Sequence, residues 1–293
     1  MTAMTASPEL RDSTFHRRRR LITAFAGIGK YTSLAMVTIV AVLPLFVLAL
    51  ASVKTDTEFQ ADGPFDLPDG LRTANFETAF NDGRMIQAFL NTVIILIISL
   101  IGTVLIGSMA AFAIDRFSFR GRGVVLALFL LATLVPAVTT QVATFQVINS
   151  LGLFNTRWSA VALYTGTDIV SIYIFLQFIR AIPKSLDEAA LLDGATYWTI
   201  YRRVIFPLLR PAIATVTIIK GVQVYNDFYI PFLYMPSRDL GVISTALFRF
   251  KGPFGTQWEV ISAGVLITIL PTLLLFVFLQ RYFYNGFTAG ATK

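Results

Sequence analysis

Long apolar runs separated by short polar breaks dominate the chain. Six of them, at 31–53, 89–114, 124–144, 159–179, 212–235 and 260–279, approach or exceed the roughly 20 residues that carry a helix across the hydrocarbon core of a bilayer. The pattern predicts an all-α polytopic membrane protein with six transmembrane helices, and an even number of spans places both termini on one side. One break stands apart. Between Lys184 and Pro211 the apolar texture gives way to Ser185-Leu186-Asp187-Glu188-Ala189-Ala190-Leu191-Leu192-Asp193-Gly194-Ala195, which reads as two short helices meeting at a glycine.

The residues around that glycine carry helix signals. Ser185 is placed to accept a backbone N–H bond, and Glu188, three positions on, to return one, which is capping-box spacing. Gly194 supplies the permissive backbone that ends the first helix. Residues 196–205 form the second, and Pro207, lacking an N–H, is expected to end it.

Composition agrees with a bilayer. The chain is 55% hydrophobic, with a mean hydropathy of +0.69, against about 45–50% apolar residues in soluble domains. Lys and Arg set the orientation, because they stay preferentially on the cytoplasmic side. Sixteen of the 24 lie before the first span, in the second loop, between Arg180 and Arg210 or in the tail, and seven lie in the alternate loops. Both termini and the 184–211 loop are therefore expected to be cytoplasmic. The net charge of +7 and the run Arg17-Arg18-Arg19-Arg20 follow from this topology and from anionic lipid rather than from nucleic acid. The start of the chain does not read as a cleaved signal peptide, since its apolar run is too long and lacks a small-residue cleavage site.

Catalytic chemistry has little to work with. There is no Cys and a single His, His16, and no carboxylate pair shares one face at membrane depth, so neither a catalytic nor a metal set is present. Gly27-Ile28-Gly29-Lys30 is not a phosphate loop, because Ala24 and Tyr31 stand where such a loop needs Gly and Ser or Thr. Nucleotide chemistry must come from elsewhere.

Glu188-Ala189-Ala190, Asp193-Gly194-Ala195, Val204, Pro207 and Pro211, spread over 24 residues, resemble the EAA loop of binding-protein-dependent ABC importers. An ordinary amphipathic connector explains neither the second helix nor both prolines. The resemblance implies a type I ABC importer permease fold of the carbohydrate, maltose-type family. It also implies a coupling loop through which Glu188, Ala189, Ala190, Asp193, Gly194, Ala195 and Pro207 engage a separate ATPase. ATP and Mg would then reside on that ATPase dimer, with no cofactor and no metal in this chain. Further implied partners are a second, homologous permease, an extracytoplasmic solute-binding protein, a sugar such as an oligosaccharide or related polyol, and membrane lipid. The expected location is the plasma membrane of a prokaryote. The organisation implied is a basic segment at 1–30, a permease domain at 31–285 containing the loop at 184–211, and a tail at 286–293.

Polar residues inside the spans mark the expected pathway. In the second span Gly102, Gly107, Ser108, Ala110 and Ala111 allow close helix packing. The third carries Pro136, a kink, then Thr139, Thr140, Gln141, Thr144 and Gln146, which face either a pathway or neighbouring helices. Thr165, Thr167 and Asp168 lie in the fourth, and Asp168 needs a partner or water. In the fifth, Lys220, Gln223 and Asn226 or Asp227 recur at helical steps, giving one polar face, with Lys220 bound either to substrate or to a carboxylate. Tyr225-Asn226-Asp227-Phe228 followed by Pro231 resembles the Trp-Asn-Asp/Glu-Phe run of sugar permeases, with Tyr in place of Trp. Gln223, Tyr225, Asn226, Asp227 and Phe228 are the substrate-pathway residues this implies.

Weaker likenesses to the same subfamily lie at Ser52, Lys54, Thr55 and Asn75-Phe76, at Leu151-Gly152-Leu153-Phe154-Asn155-Thr156, and in the Gly-Ala tail. The first extracytoplasmic loop is acidic, with turns at Pro64, Pro68 and Gly70 and a short helix at 74–80. The loop after the fifth span, with Gly241, Gly252, Pro253 and Gly255 among Phe248, Phe250 and Phe254, suits either a binding protein or a closing gate. An ion-coupled carrier or channel using Asp168, Lys220 and Asp227 is the alternative, but it has no need of a docking loop.

Overall fold

The computed structural model describes the backbone of residues 8–136, 138–166, 168–252 and 255–291, and within those stretches side chains from 27 to 274 and at 277. The expectations attached to the side chains of Arg11, His16 and Arg17 to Arg20, to Thr167, to Pro253 and Phe254, and to the tail side chains lie outside what is described.

Helices account for most of the described backbone. The first is α1 (Pro8–Ser52), which takes in the basic segment from Pro8 onward. Two short helices follow, α2 (Asp56–Asp62) and α3 (Ala74–Asp82). The sequence reading overlooked α2, although Thr55 and Glu58 hold the spacing of a capping box. The Thr55 hydroxyl accepts the Glu58 N–H at 3.2 Å and the Glu58 carboxylate accepts the Thr55 N–H at 2.5 Å. Hydrogen bonds from Thr55 hold the Glu58 carboxyl below its ordinary range.

Next come α4 (Met85–Arg116), α5 (Arg122–Leu134), α6 (Gln141–Ser150), α7 (Arg157–Gly166) and α8 (Ile169–Ala181). Beyond them lie α9 (Ser185–Leu192), α10 (Tyr197–Ile200), a π-helical turn at Tyr201–Ile205, α11 (Phe206–Leu208), α12 (Arg210–Asn226) and α13 (Tyr229–Tyr234). The chain closes with α14 (Ile243–Ala246), a two-stranded hairpin of β1 (Lys251–Gly252) and β2 (Gly255–Thr256), and α15 (Trp258–Ala291). The backbone of α15 is helical through 286–291.

Two described helical stretches, Gly27–Ser52 and Met85–Arg116, are long and apolar enough to cross a membrane unaided. The runs at 124–144, 159–179 and 212–235 are broken, which corrects the expectation of continuous spans. Pro136 interrupts the first: it lacks an N–H and disfavours helical backbone just before it, and Val135 is accordingly extended (φ −77°, ψ 117°). In the others an aspartate stands at the break. Asp168 separates α7 from α8, which are bent by 42°, and Asp227, extended at φ −70°, ψ 119°, separates α12 from α13.

Unbroken α4 is the helix against which α3, α7, α8, α12 and α14 pack. Small residues let them approach. A Cβ on Gly102 would lie 2.7 Å from Thr165 Cγ2, closer than carbon atoms tolerate, so a larger residue there would push α7 away. At the Arg116 end, Ala111, Phe112 and Ile114 join Phe175, Leu176 and Ile179 of α8 and Ile200, Tyr201, Ile205 and Leu209 in one core. At the other end α2 and α3 cover the start of α15.

Candidate functional site

The 184–211 segment folds into two short helices, with local chemistry that differs from expectation. Lys184 is the first capping position of α9 and makes no side-chain cap, while Ser185 is already helical. The Ser185–Glu188 capping box therefore does not form. The start of α9 is held instead by buried Asp187, whose Oδ2 lies 2.5 Å from Arg116 Nε at the end of α4. A tertiary ion pair has displaced the local motif.

At Gly194 the backbone is left-handed (φ +81°). Its N–H donates to Leu191 O at 3.0 Å and that of Ala195 to Ala190 O at 2.9 Å, closing a helix end that a β-carbon would strain. Thr196 caps α10, its hydroxyl accepting the Thr199 N–H at 3.3 Å. Pro207 does not end the second helix. The π turn carries the chain past it, with the Phe206 N–H reaching Tyr201 O, and Pro207 takes an early position in α11, where a missing N–H costs nothing. The change of direction comes at Leu209, where Tyr197–Leu208 and Arg210–Asn226 meet at 71°.

Glu188, Ala189, Asp193, Gly194 and Pro207 are exposed. Ala190 and Ala195 rest half-buried on the core, which fully buries Ile200, Ile205 and Leu209. Each of these three contributes about 1.5–3 kcal/mol where the alternative is water. Leu192, by contrast, is 90% exposed, beside exposed Leu191, Tyr197 and Trp198.

The second feature is a cavity of about 1120 Å³ between the broken helices, lined in part by Thr103, Thr140, Gln141, Thr144, Thr165, Asp168, Lys220, Gln223 and Asp227. Its size slightly exceeds the roughly 300–1,000 Å³ of small-molecule sites. Buried Lys220 has its Nζ 3.4 Å from Asp168 Oδ2 and 5.9 Å from the centre of the Tyr164 ring. Asp168 also caps α8, accepting the Ser171 N–H at 3.4 Å and the Ser171 hydroxyl at 2.6 Å. Asp227 does the same for α13, its Oδ1 accepting the N–H groups of Tyr229 at 2.8 Å and Ile230 at 3.3 Å. Each of these two broken helices thus restarts at an aspartate on the cavity wall, a geometry that membrane transport proteins use to present polar groups at depth.

Of the five residues singled out as pathway, Gln223 and Asp227 line this cavity. Tyr225 lies away from it, its hydroxyl donating to Thr268 O at 3.2 Å. Asn226 donates to Val222 O at 2.9 Å within its own helix. Phe228 packs on Phe232 and Phe248, with ring centres 5.0 and 5.4 Å away. Helical rotation explains the split, since 220, 223 and 227 follow one face and 225 does not. Thr103 and Tyr229 on the wall were not anticipated. Thr103 sits among the small residues of α4, where a polar side chain at depth was the available signal.

A cavity between broken apolar helices, its largely apolar wall set with hydroxyl, amide and charged groups, is the geometry a membrane transport permease needs. Residues 103–288 match the family described as binding-protein-dependent transport system inner membrane component, and the chain belongs to that family. It is 32% identical over 263 residues to the arabinooligosaccharides transport system permease protein AraQ of Halalkalibacterium halodurans, covering 88% of this chain and 94% of the relative. The melibiose/raffinose/stachyose import permease protein MelC of Bacillus subtilis is 29% identical, covering 86% and 91%. The diacetylchitobiose uptake system permease protein NgcG of Streptomyces coelicolor is 28% identical, covering 92% and 89%. The fold matches a chain of a bacterial ABC transporter involved in import of the acidic polysaccharide alginate, with a TM-score of 0.73 at 18% identity, over 96% of this chain and all of that one.

Proposed function

We propose that the chain is the non-catalytic permease of an ATP-driven importer for a neutral oligosaccharide or related polyol, delivered by an extracytoplasmic binding protein. A second, similar permease completes the pathway, and a separate ATPase dimer holds ATP and Mg. The observation that carries this reading is the exposed two-helix loop closed at Gly194, which gives a partner ATPase a shaped peg. Closure of the ATPases would draw such pegs together, and packed helices would turn that motion into opening at the far end. The three broken runs count as spans in this reading, giving six, with the loop and both termini in the cytoplasm.

Cavity charge supports a neutral cargo. Asp168 neutralises Lys220, which leaves Asp227 as the surplus charge among the charged wall residues, unfavourable to a uronate. Threonine hydroxyls and Gln141 and Gln223 supply hydrogen bonds of the kind sugars need.

The test is uptake by the copurified complex in proteoliposomes, for the sugar found on its binding protein. Uptake is expected to follow ATP and to survive a protonophore. Asp227→Asn keeps an acceptor for the cap of α13 and is expected to retain most uptake, whereas Asp227→Leu loses the cap, about 1 kcal/mol, and falls further. Equal and complete loss in both variants, with collapse under the protonophore, would instead identify a carrier whose carboxylate must titrate.

Orientation has its own check. Single cysteines replacing Thr73 and Arg157 are expected to react with an impermeant thiol reagent from outside intact cells, and one replacing Thr196 is not. The reverse labelling would put the loop on the wrong side for an ATPase.

A further inference from the structure

The two ends of α4 are fastened by side chains that no other part of the proposed mechanism uses. At one end the buried Arg116 guanidinium lies 2.5 Å from Asp187 Oδ2, donates to Asp115 Oδ2 at 2.8 Å and donates to Ile182 O at 3.0 Å. Asp115 in turn takes Arg122 at 3.2 Å and lies 3.7 Å from Arg180. Burial holds the Asp187 carboxyl above its ordinary range, with Arg116 opposing that shift only in part. One guanidinium thereby joins α4 to α9 and to the chain entering it.

At the other end Asn91, 1% exposed, donates to the carbonyls of Asp239 and Gly241, each at 2.9 Å, and accepts from Arg157 Nε at 2.8 Å. One turn earlier, Gln87 donates to Asp239 O at 2.9 Å and Arg84 pairs with the Asp239 carboxylate. The Thr92 hydroxyl accepts the Ile243 N–H at 3.0 Å. These bonds hold the segment between α13 and α14, which carries a short 3-10 turn at Arg238–Leu240.

Between the fastenings α4 is a single helix without proline, and Asn91 and Arg116 are separated by about 38 Å at 1.5 Å per residue. The helices around the cavity are broken at Pro136, Asp168 and Asp227 and can flex there; an unbroken, packed helix moves as one body.

We infer that α4 is a strut that transmits displacement of the 184–211 loop to the 236–243 segment at the opposite end, with Arg116 and Asn91 as the positioning residues that grip each end. The inference rests on the importer reading, because it needs a force applied at the loop. It goes beyond that reading by assigning the path through the molecule.

The test uses the full complex with its copurified binding protein, and reads the ratio of ATPase rates with and without that protein, per assembled complex. Asp187→Asn at one end and Asn91→Ala at the other are each expected to leave the unstimulated rate unchanged and cut the ratio about tenfold, within the usual range of coupling between sites. The double variant is expected to fall by the same roughly tenfold, since one strut released at either end transmits nothing. Independent structural defects would multiply. Should either variant fail to assemble, Arg116→Lys, which cannot reach Asp187 and Ile182 O together, and Asn91→Asp, which keeps the acceptor for Arg157 Nε but loses both donations to Asp239 O and Gly241 O, replace them with the same expectation. Full stimulation in the single variants, or multiplied losses in the double, would overturn the strut. A wild-type complex that its binding protein does not stimulate would instead count against the importer reading.

Discussion

Gly194→Pro is expected to abolish uptake in complexes that still assemble. Proline fixes φ near −65°, whereas the chain at Gly194 turns at φ +81°, and the variant also loses the N–H that donates to Leu191 O at 3.0 Å. The helix end cannot close, α10 takes a new direction, and the exposed face around Leu192 no longer has its shape. Nothing lies within 4 Å of a β-carbon built at this position, so the defect is conformational rather than a clash. That makes a graded series informative. Gly194→Asn, which tolerates the left-handed region, should stay near wild type, and Gly194→Ala should be intermediate, at about 1–2 kcal/mol of backbone strain. ATP-dependent uptake per assembled complex is the measurement; proline and asparagine variants of equal activity would show that the turn does not shape the docking surface.

Lys220→Met is expected to have the largest effect on stability. It leaves Asp168 as a buried charge without its partner, a defect worth roughly 3–5 kcal/mol when one member of a buried pair is removed. The purified complex should lose thermal stability sharply, or accumulate poorly. Adding Asp168→Asn removes the stranded charge and keeps an acceptor for the Ser171 N–H, so the double variant should recover most of the loss. Melting of the detergent-solubilised complex followed by size exclusion reads both. A double variant as unstable as Lys220→Met alone would mean that Lys220 acts through contacts other than its 3.4 Å pair with Asp168.

These two variants address different parts of one transport cycle. The first disturbs where force enters the permease, and the second disturbs the wall of the cavity through which a sugar would pass. Defects of the first kind should uncouple ATP hydrolysis from uptake, whereas defects of the second should lower the amount of assembled complex.

Much was legible in the residue order because it depends on local rules. Apolar runs of sufficient length specify membrane helices whatever they pack against, and the glycine turn at 194 follows from the conformational freedom of that one residue. The polar positions at 140, 141, 144, 220, 223 and 227 follow from helical repeat and the cost of polar groups in lipid. Other features were decided only in three dimensions. Ser185 and Glu188 have the spacing of a capping box, yet Asp187 gains more from Arg116, a partner from a distant helix that no local pattern announces. Pro207 reads as a stop, but a π turn places it where it needs no N–H. Along the chain Asp168 needs a partner or water and Asp227 reads as a pathway residue; that they restart broken helices, and that Asp168 pairs with Lys220, depends on which helices the fold brings together. Backbone propensity and hydropathy act over a few residues and can be read along the chain, whereas a buried charge is satisfied by whichever opposite charge packing places beside it.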